Sequence, residues 1–379
     1  MEEEGPRHFF GPARDFGDAG DGAQPPPRVG DPLTGEQADA LMAVVGVSPG
    51  KQLPDSWKQG LFFAGYQPYG IQQVEGGPCG VLAAIQAFLL RALLESSNGD
   101  PAAILRVPEA VRQEALISAV CEVLFRHAGD NKKAIIILPS PGAAPLSASN
   151  LRGVQTAYFT SYEQLHYHLH QRPFKDLFFS PSGCGVPLLL YSLVWTRGLD
   201  GIKEDVDDVK TGVMIGMHGY CTQELVNLMI FGRAYTNVFD KTKRIGSPQD
   251  GYYVMQGAPC RAKVGFLSLF EAKNDFIEVG SRLKGPLSPI WIVCAESHYS
   301  VLFALDTTID PRESEQVLDL YYFDQFGRQD RELRLTVHPN ELPPELSTGF
   351  EDGESIIDQC IRTKWKRAGV DWNGAEKLL

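Results

Sequence analysis

The sequence predicts an α+β fold, with helices and strands in unequal clusters rather than in regular alternation. Three observations carry that reading. Gly80 to Leu94 (GVLAAIQAFLLRALL) is apolar almost all round and long enough for about four turns at ~3.6 residues each. A helix apolar on every face belongs in a core. Several short stretches rich in aliphatic or aromatic residues read as strands, in unequal clusters with the helices. No βαβ rhythm links them, which disfavours a doubly wound sheet.

Taken in order, the chain opens with an acidic segment, residues 1–33, whose first 32 positions hold six Gly, six Pro, three Arg and seven Asp plus Glu. So few aliphatic side chains cannot offset the entropy of ordering, and the segment reads as a flexible arm. From Thr34 to residue 379 the pattern is that of one folded domain, with no internal repeat and no second linker. After the apolar helix comes an amphipathic one, Pro108 to Arg126, with Val111, Ala115, Leu116, Ala119, Val120 and Val123 on one side. Thr222 to Phe231 reads as a third helix, with Thr222 as its N-cap. The expected strands are Lys133–Leu138, Pro187–Trp195, Pro289–Ala295, Tyr299–Leu305 and Leu318–Asp324. Loops are expected at Gly129–Lys132, Ser140–Asn150, Ser180–Gly185 and Pro339–Glu354.

Composition narrows the function classes. Across 379 residues, 43% are hydrophobic and 22% charged, which fits a globular chain and excludes a fibrous or wholly disordered one. The formal net charge of −12 repels phosphate backbones and argues against nucleic acid as a partner. No apolar run reaches the ~18 residues that span a bilayer. Met1-Glu2-Glu3-Glu4 is acidic where a secretory leader would be basic and then apolar. The expectation is a soluble protein of the cytoplasm, with the nucleus as a second compartment. Seven cysteines (Cys79, Cys121, Cys184, Cys221, Cys260, Cys294, Cys360) stand singly, without the paired spacings of a disulfide framework or a structural zinc site, so neither a metal nor a cofactor is expected.

One cysteine differs from the rest. Gln73-Val74-Glu75-Gly76-Gly77-Pro78-Cys79-Gly80 runs straight into the apolar helix. Pro78 suits a helix start, where its missing N–H would have no intrahelical partner. Cys79 then lies in the first turn, where free N–H groups and the helix dipole favour a thiolate. Gly76, Gly77 and Gly80 leave room for another backbone near the sulfur. The bland alternative is a small buried residue at a helix start. Gln73, six residues earlier, could turn its amide towards the helix start and pair with the Cys79 N–H as an oxyanion hole.

A base should come from a histidine far along the chain. His298 is best placed, presented between two apolar runs in WIVCAESHYSVLF, and His218 is the second choice. His166, His168 and His170 alternate, as a solvated face would, or a metal-binding strand. Asp324, closing the next strand, could orient the imidazole. It could equally be a turn aspartate opening Asp324-Gln325-Phe326-Gly327.

Eight stretches, in order along the chain, carry a further signal. They begin with Tyr69-Gly70-Ile71 and Gly76-Gly77-Pro78-Cys79-Gly80-Val81-Leu82-Ala83-Ala84, then His218-Gly219-Tyr220-Cys221-Thr222-Gln223-Glu224-Leu225-Val226-Asn227-Leu228. Gly265-Phe266-Leu267-Ser268-Leu269-Phe270-Glu271, Cys294-Ala295-Glu296-Ser297-His298-Tyr299-Ser300 and Leu318-Asp319-Leu320-Tyr321-Tyr322 follow. Cys360-Ile361-Arg362-Thr363-Lys364-Trp365-Lys366 leads to Asp371-Trp372-Asn373-Gly374. Together these stretches resemble the MINDY family of deubiquitinases, most of all the branch of its fourth mammalian member, and the resemblance implies a papain-like cysteine-protease fold, with a central helix carrying the nucleophile on a mainly antiparallel sheet. It places Cys79 as nucleophile, His298 as general base and Gln73 in the oxyanion hole, and leaves Asp324 unassigned. It implies hydrolysis of isopeptide bonds in polyubiquitin, preferentially through ubiquitin's lysine forty-eight, so the expected partners are polyubiquitin chains and ubiquitinated proteins. The competing reading is a weak or inactive ubiquitin-binding module on the same fold. Acyl transfer to an amine is a third. Trp365 and Trp372 are read as packing rather than substrate contacts.

Overall fold

In the computed structural model the described residues are 23–377, apart from 49–50, 98, 128–132, 141–150, 152, 248–250, 274–276, 313–314, 328 and 343–353. Strand β1 (Arg28–Pro32) precedes helix α1 (Gly35–Val45), which opens on a capping box. Thr34 Oγ1 accepts from the Gln37 N–H at 3.2 Å while Gln37 Oε1 accepts from the Thr34 N–H at 2.9 Å. Next come α2 (Cys79–Ser96) and α3 (Glu109–His127), the hairpin β2 (Ala134–Pro139) and β3 (Val154–Phe159), and then α4 (Tyr162–His170) and α5 (Phe174–Phe179). Helices α6 (Gly185–Arg197), α7 (Leu199–Asp205) and α8 (Gln223–Phe231) complete the helical half. The rest is β4 (Thr242–Ser247), β5 (Gly251–Gln256), β6 (Gly265–Ser268), α9 (Leu269–Ala272), α10 (Ser281–Lys284), β7 (Ile290–Ala295), β8 (His298–Phe303), β9 (Leu318–Phe323), β10 (Leu333–His338), α11 (Ile356–Lys364) and β11 (Gly369–Asp371).

Six strands form the central sheet in the order β11-β10-β9-β8-β7-β6, antiparallel throughout except for the parallel pair β6–β7. Its middle strands are covered on both faces, which is why they read as unbroken apolar runs. Ile290, Ile292 and Cys294 face the cluster built on α2, while Trp291 and Val293 face the cluster built on α11. Helix α2 has the length and hydropathy of a membrane-spanning helix, yet 78% of that window is buried inside the protein, so it acts as the core helix. It lies on β7 and β8, with α3 and α8 against it. The mixed α+β class expected from the sequence is the class observed.

Two expectations need correction. Pro187–Trp195 is not a strand: it is the body of α6, and Gly185–Val194 are all buried. A helix buried on every side loses its 3.6 period, and Pro187 is tolerated because it sits in the first turn. Nor is the whole of residues 1–33 an arm. Residues 1–22 lie outside the described residues, but Arg28 and Val29 pair antiparallel with Tyr158 and Ala157 of β3, and His168 Nε2 and Gln164 Nε2 each hold the Pro25 carbonyl at 3.0 Å. The ladder partner lies more than a hundred residues away, where composition cannot show it. Of the expected loops, residues 129–132, 141–150 and 343–353 lie outside the described residues. The alternating histidines belong to a helix, α4.

Candidate active site

Helix α2 begins at Cys79, with Pro78 at its N-cap. The segment leading into it is held by side chains the sequence did not flag. Gln86, fully buried two turns into α2, accepts from the Ile71 N–H at 2.8 Å and donates to the Tyr69 carbonyl at 2.9 Å. Gln59 accepts from the Val74 N–H at 2.8 Å and donates to the Glu75 carbonyl at 3.3 Å. The Cys221 N–H reaches the Gly77 carbonyl at 3.2 Å. Buried glutamines carry no local sequence signal; only the fold reveals them.

The glycines divide by role. Gly77 has φ +119°, a conformation L side chains rarely adopt. A Cβ on Gly80 would meet Cys221 Sγ at 2.5 Å, so that glycine serves the contact between α2 and the start of α8 rather than substrate access. Gly76 alone of the three faces open space.

The β7–β8 hairpin brings up the imidazole. Ala295 pairs with His298, leaving Glu296 and Ser297 as the turn, and Glu296 takes φ 58° to make it. The Ser297 carbonyl lies 3.6 Å from Cys79 Sγ. His298 Nε2 is 2.8 Å from Asp324 Oδ1, and hydrogen bonding and charge from the Cys79 side chain also act on the ring. Burial alone would lower the pKa of His298, but hydrogen bonds and charge from Asp324 and Cys79 outweigh it and raise it to about 10. An imidazolium held beside a sulfur is the environment in which thiolates form. The other buried thiols are poor competitors. Burial raises Cys121, Cys184, Cys221, Cys294 and Cys360, with Cys184 pushed up to about 11 and Cys294 to about 12.

Asp324 contacts the imidazole and also closes its own turn. Its Oδ1 faces His298 and also accepts from the Phe326 N–H at 2.8 Å, as a turn aspartate does. The same turn reaches Gln73, whose N–H donates to the Gln325 carbonyl at 2.9 Å. Gln73 is buried, with its Nε2 donating to the Glu75 carbonyl at 2.9 Å and its Oε1 unpartnered among the described residues. His218 is exposed on the turn before Cys221. The sulfur is well covered, Cys79 being 2% exposed, while the His298 side chain is 35% exposed. Against Ser297 lies a mostly apolar groove of about 490 Å³, lined in part by Cys221, Phe239, Phe266, Cys294 and Tyr299.

Cys79, His298 and Asp324 thus form a thiol–imidazole–carboxylate line at a helix start, and the fold and site define a Cys–His–Asp centre on an α+β body. The family described as "Deubiquitinating enzyme MINDY-3/4, conserved domain" matches residues 44–374, and the chain belongs to that family. It is 37% identical over 364 residues to "Probable ubiquitin carboxyl-terminal hydrolase MINDY-4" of Xenopus tropicalis, covering 92% of this chain and 47% of that one. The Mus musculus protein of the same name is 40% identical over 321 residues, 82% of this chain and 42% of the relative. "Ubiquitin carboxyl-terminal hydrolase MINDY-3" of Bos taurus is more distant, 30% identical over 302 residues, 72% of this chain and 65% of the relative. The chain spans less than half the length of these two MINDY-4 relatives. No solved structure matches it.

Proposed function

We propose that the chain is a cysteine-type ubiquitin isopeptidase of papain-like design, acting on polyubiquitin chains and ubiquitinated proteins in the cytoplasm and nucleus. The observation that carries this is His298, hydrogen-bonded to Asp324 and acted on by hydrogen bonding and charge from Cys79. The names of the relatives supply the substrate class. His298 takes the Cys79 proton, and the thiolate attacks the carbonyl of ubiquitin's terminal glycine. The Cys79 N–H and the second amide hydrogen of Gln73 receive the oxyanion. The imidazolium protonates the departing lysine amine, and water, deprotonated by the same ring, hydrolyses the thioester. Gly76, exposed beside the site, leaves space for a Gly-Gly tail. Preference for lysine-forty-eight linkages belongs to the same proposal and rests on the family resemblance.

The test is incubation of the purified protein with ubiquitin dimers of each linkage. Cleavage should be fastest through lysine forty-eight and should vanish in Cys79→Ala; undiminished cleavage by that variant would exclude the assignment.

A second reading has its own support: the 2% exposure of Cys79 favours a resting state in which the thiol is shut off, as in a ubiquitin-binding module without turnover. A ubiquitin probe with a C-terminal electrophile separates the two, because only a reachable, reactive thiol is labelled.

A further inference from the structure

Helices α3 and α4 lie side by side, and between them three ligating side chains meet that take no part in the thiol site. Glu114 comes from the second turn of α3. His166 and His170 are four residues apart on α4, so their rings leave the same face. The two Nε2 atoms converge on one carboxylate, His166 at 2.7 Å from Oε1 and His170 at 2.8 Å from Oε2. The imidazoles meet edge to face with 4.9 Å between centroids, and all three ligand atoms lie within 4.8 Å of one another. Tyr162 stacks on His166 at 5.7 Å, walling that side, and Ser118 Oγ lies 3.4 Å from its Nε2. Side-chain exposures of 23% for His166, 32% for His170 and 30% for Glu114 leave the cluster walled by protein yet open to solvent.

We propose that Glu114, His166 and His170 form a binding site for one divalent transition ion of the zinc type. Two imidazoles and a carboxylate are a borderline-soft set, suited to zinc and poorly suited to calcium or magnesium, which prefer oxygen alone. Bond lengths of about 2.0–2.2 Å to nitrogen and oxygen place neighbouring tetrahedral ligands roughly 3.3 Å apart. Each Nε2 now stands at hydrogen-bond distance from a carboxylate oxygen, with the ligand atoms within 4.8 Å of one another, so small side-chain rotations admit the ion. Binding uses the Nε2 lone pairs, with each ring proton on Nδ1 or released to solvent, and the carboxylate stays ionised. The fourth position faces water. Because the ligands come from two helices, the ion would tie α4 to α3, which in turn packs on α2.

The experiment uses the full chain, stripped with a chelator and carrying Cys79→Ala so that the nucleophile cannot be a ligand. Zinc is titrated calorimetrically and cobalt(II) by visible absorption, with magnesium as the control. One ion per chain is expected, with a tetrahedral cobalt spectrum lacking a thiolate band and a melting temperature that rises with zinc but not with magnesium. His170→Ala and Glu114→Gln should each weaken binding by more than the roughly 10–100-fold that the loss of an outer partner costs a metal site. The melting temperature in chelator shows that each variant is folded. If His170→Ala is unfolded, Glu114→Gln, which keeps the side-chain shape, decides. Absence of saturable binding, a thiolate band, or affinity untouched by these substitutions would overturn the site.

Discussion

Asp324 makes two contacts through one oxygen, holding the His298 ring and closing its own turn through the Phe326 N–H. Asp324→Asn keeps the shape and removes the charge. The carboxylate raises the His298 pKa while burial lowers it, so the variant's ring loses its proton at lower pH than the wild type's, whose pKa is about 10. Since the thiolate–imidazolium pair is the reactive form in the proposed mechanism, the alkaline limb of kcat/KM should move to lower pH. A pH profile with a ubiquitin C-terminal fluorogenic substrate checks it, and an unmoved limb would remove Asp324 from its positioning role. Gln73 is the complementary case. Its backbone is pinned to the Asp324 turn and one amide hydrogen to Glu75, which leaves one hydrogen for an oxyanion. Gln73→Ala should lower kcat by roughly 10²–10³, the usual effect of losing one such donor, with KM changed far less. A shift confined to KM would mean that Gln73 only shapes the entrance.

At the scale of elements, the start of α2 is where helix packing and chemistry share residues. The missing side chain of Gly80 lets Cys221 and Val226 approach, with distances of 2.5 Å and 3.1 Å to a built Cβ. Gly80→Ala should therefore cost about 1–3 kcal/mol through overpacking. Gly76→Ala, exposed and facing open space, should stay within about 0.5 kcal/mol of wild type. Chemical denaturation of both variants checks the contrast, and equal losses would contradict the division of roles. Helices α2, α3 and α8 and the strands around His298 and Asp324 were legible because their periods, lengths and caps are local. Thr222, for example, does cap α8, accepting from the Leu225 N–H. The misread segments lack a local signal. Helix α6 is apolar on all sides, and β1 depends on a partner in β3. His166, His168 and His170 imitate a period of two, yet on α4 the first and third meet and His168 turns to Pro25. Of the site, Cys79 and His298 could be read from helix-start chemistry and apolar flanks. Gln59, Gln86 and the Ser297 carbonyl could not, because each acts through backbone contacts set by tertiary structure.

Across the whole molecule, the two apolar clusters share one sheet, which lies between the site and the far layer. Strands β7 and β8, which present His298, send Ile292 and Val301 towards α2 and Trp291 and Leu302 towards α11. On the α11 side Trp365 meets Trp291 edge to face at 5.6 Å, and Trp372 Nε1 donates to Asp358 Oδ1 at 2.8 Å, so both C-terminal tryptophans pack within the protein. Trp365→Ala removes a buried aromatic and should cost about 3–5 kcal/mol. If the sheet transmits that loss, helix content by far-ultraviolet circular dichroism and tertiary packing by near-ultraviolet circular dichroism should melt together at a lower temperature. Activity measured well below the transition should stay near wild type, because Trp365 lies in the cluster on the opposite face of the sheet from Cys79. Two separate transitions in the variant would instead mean that the layers on either face fold independently and that the sheet only lies between them.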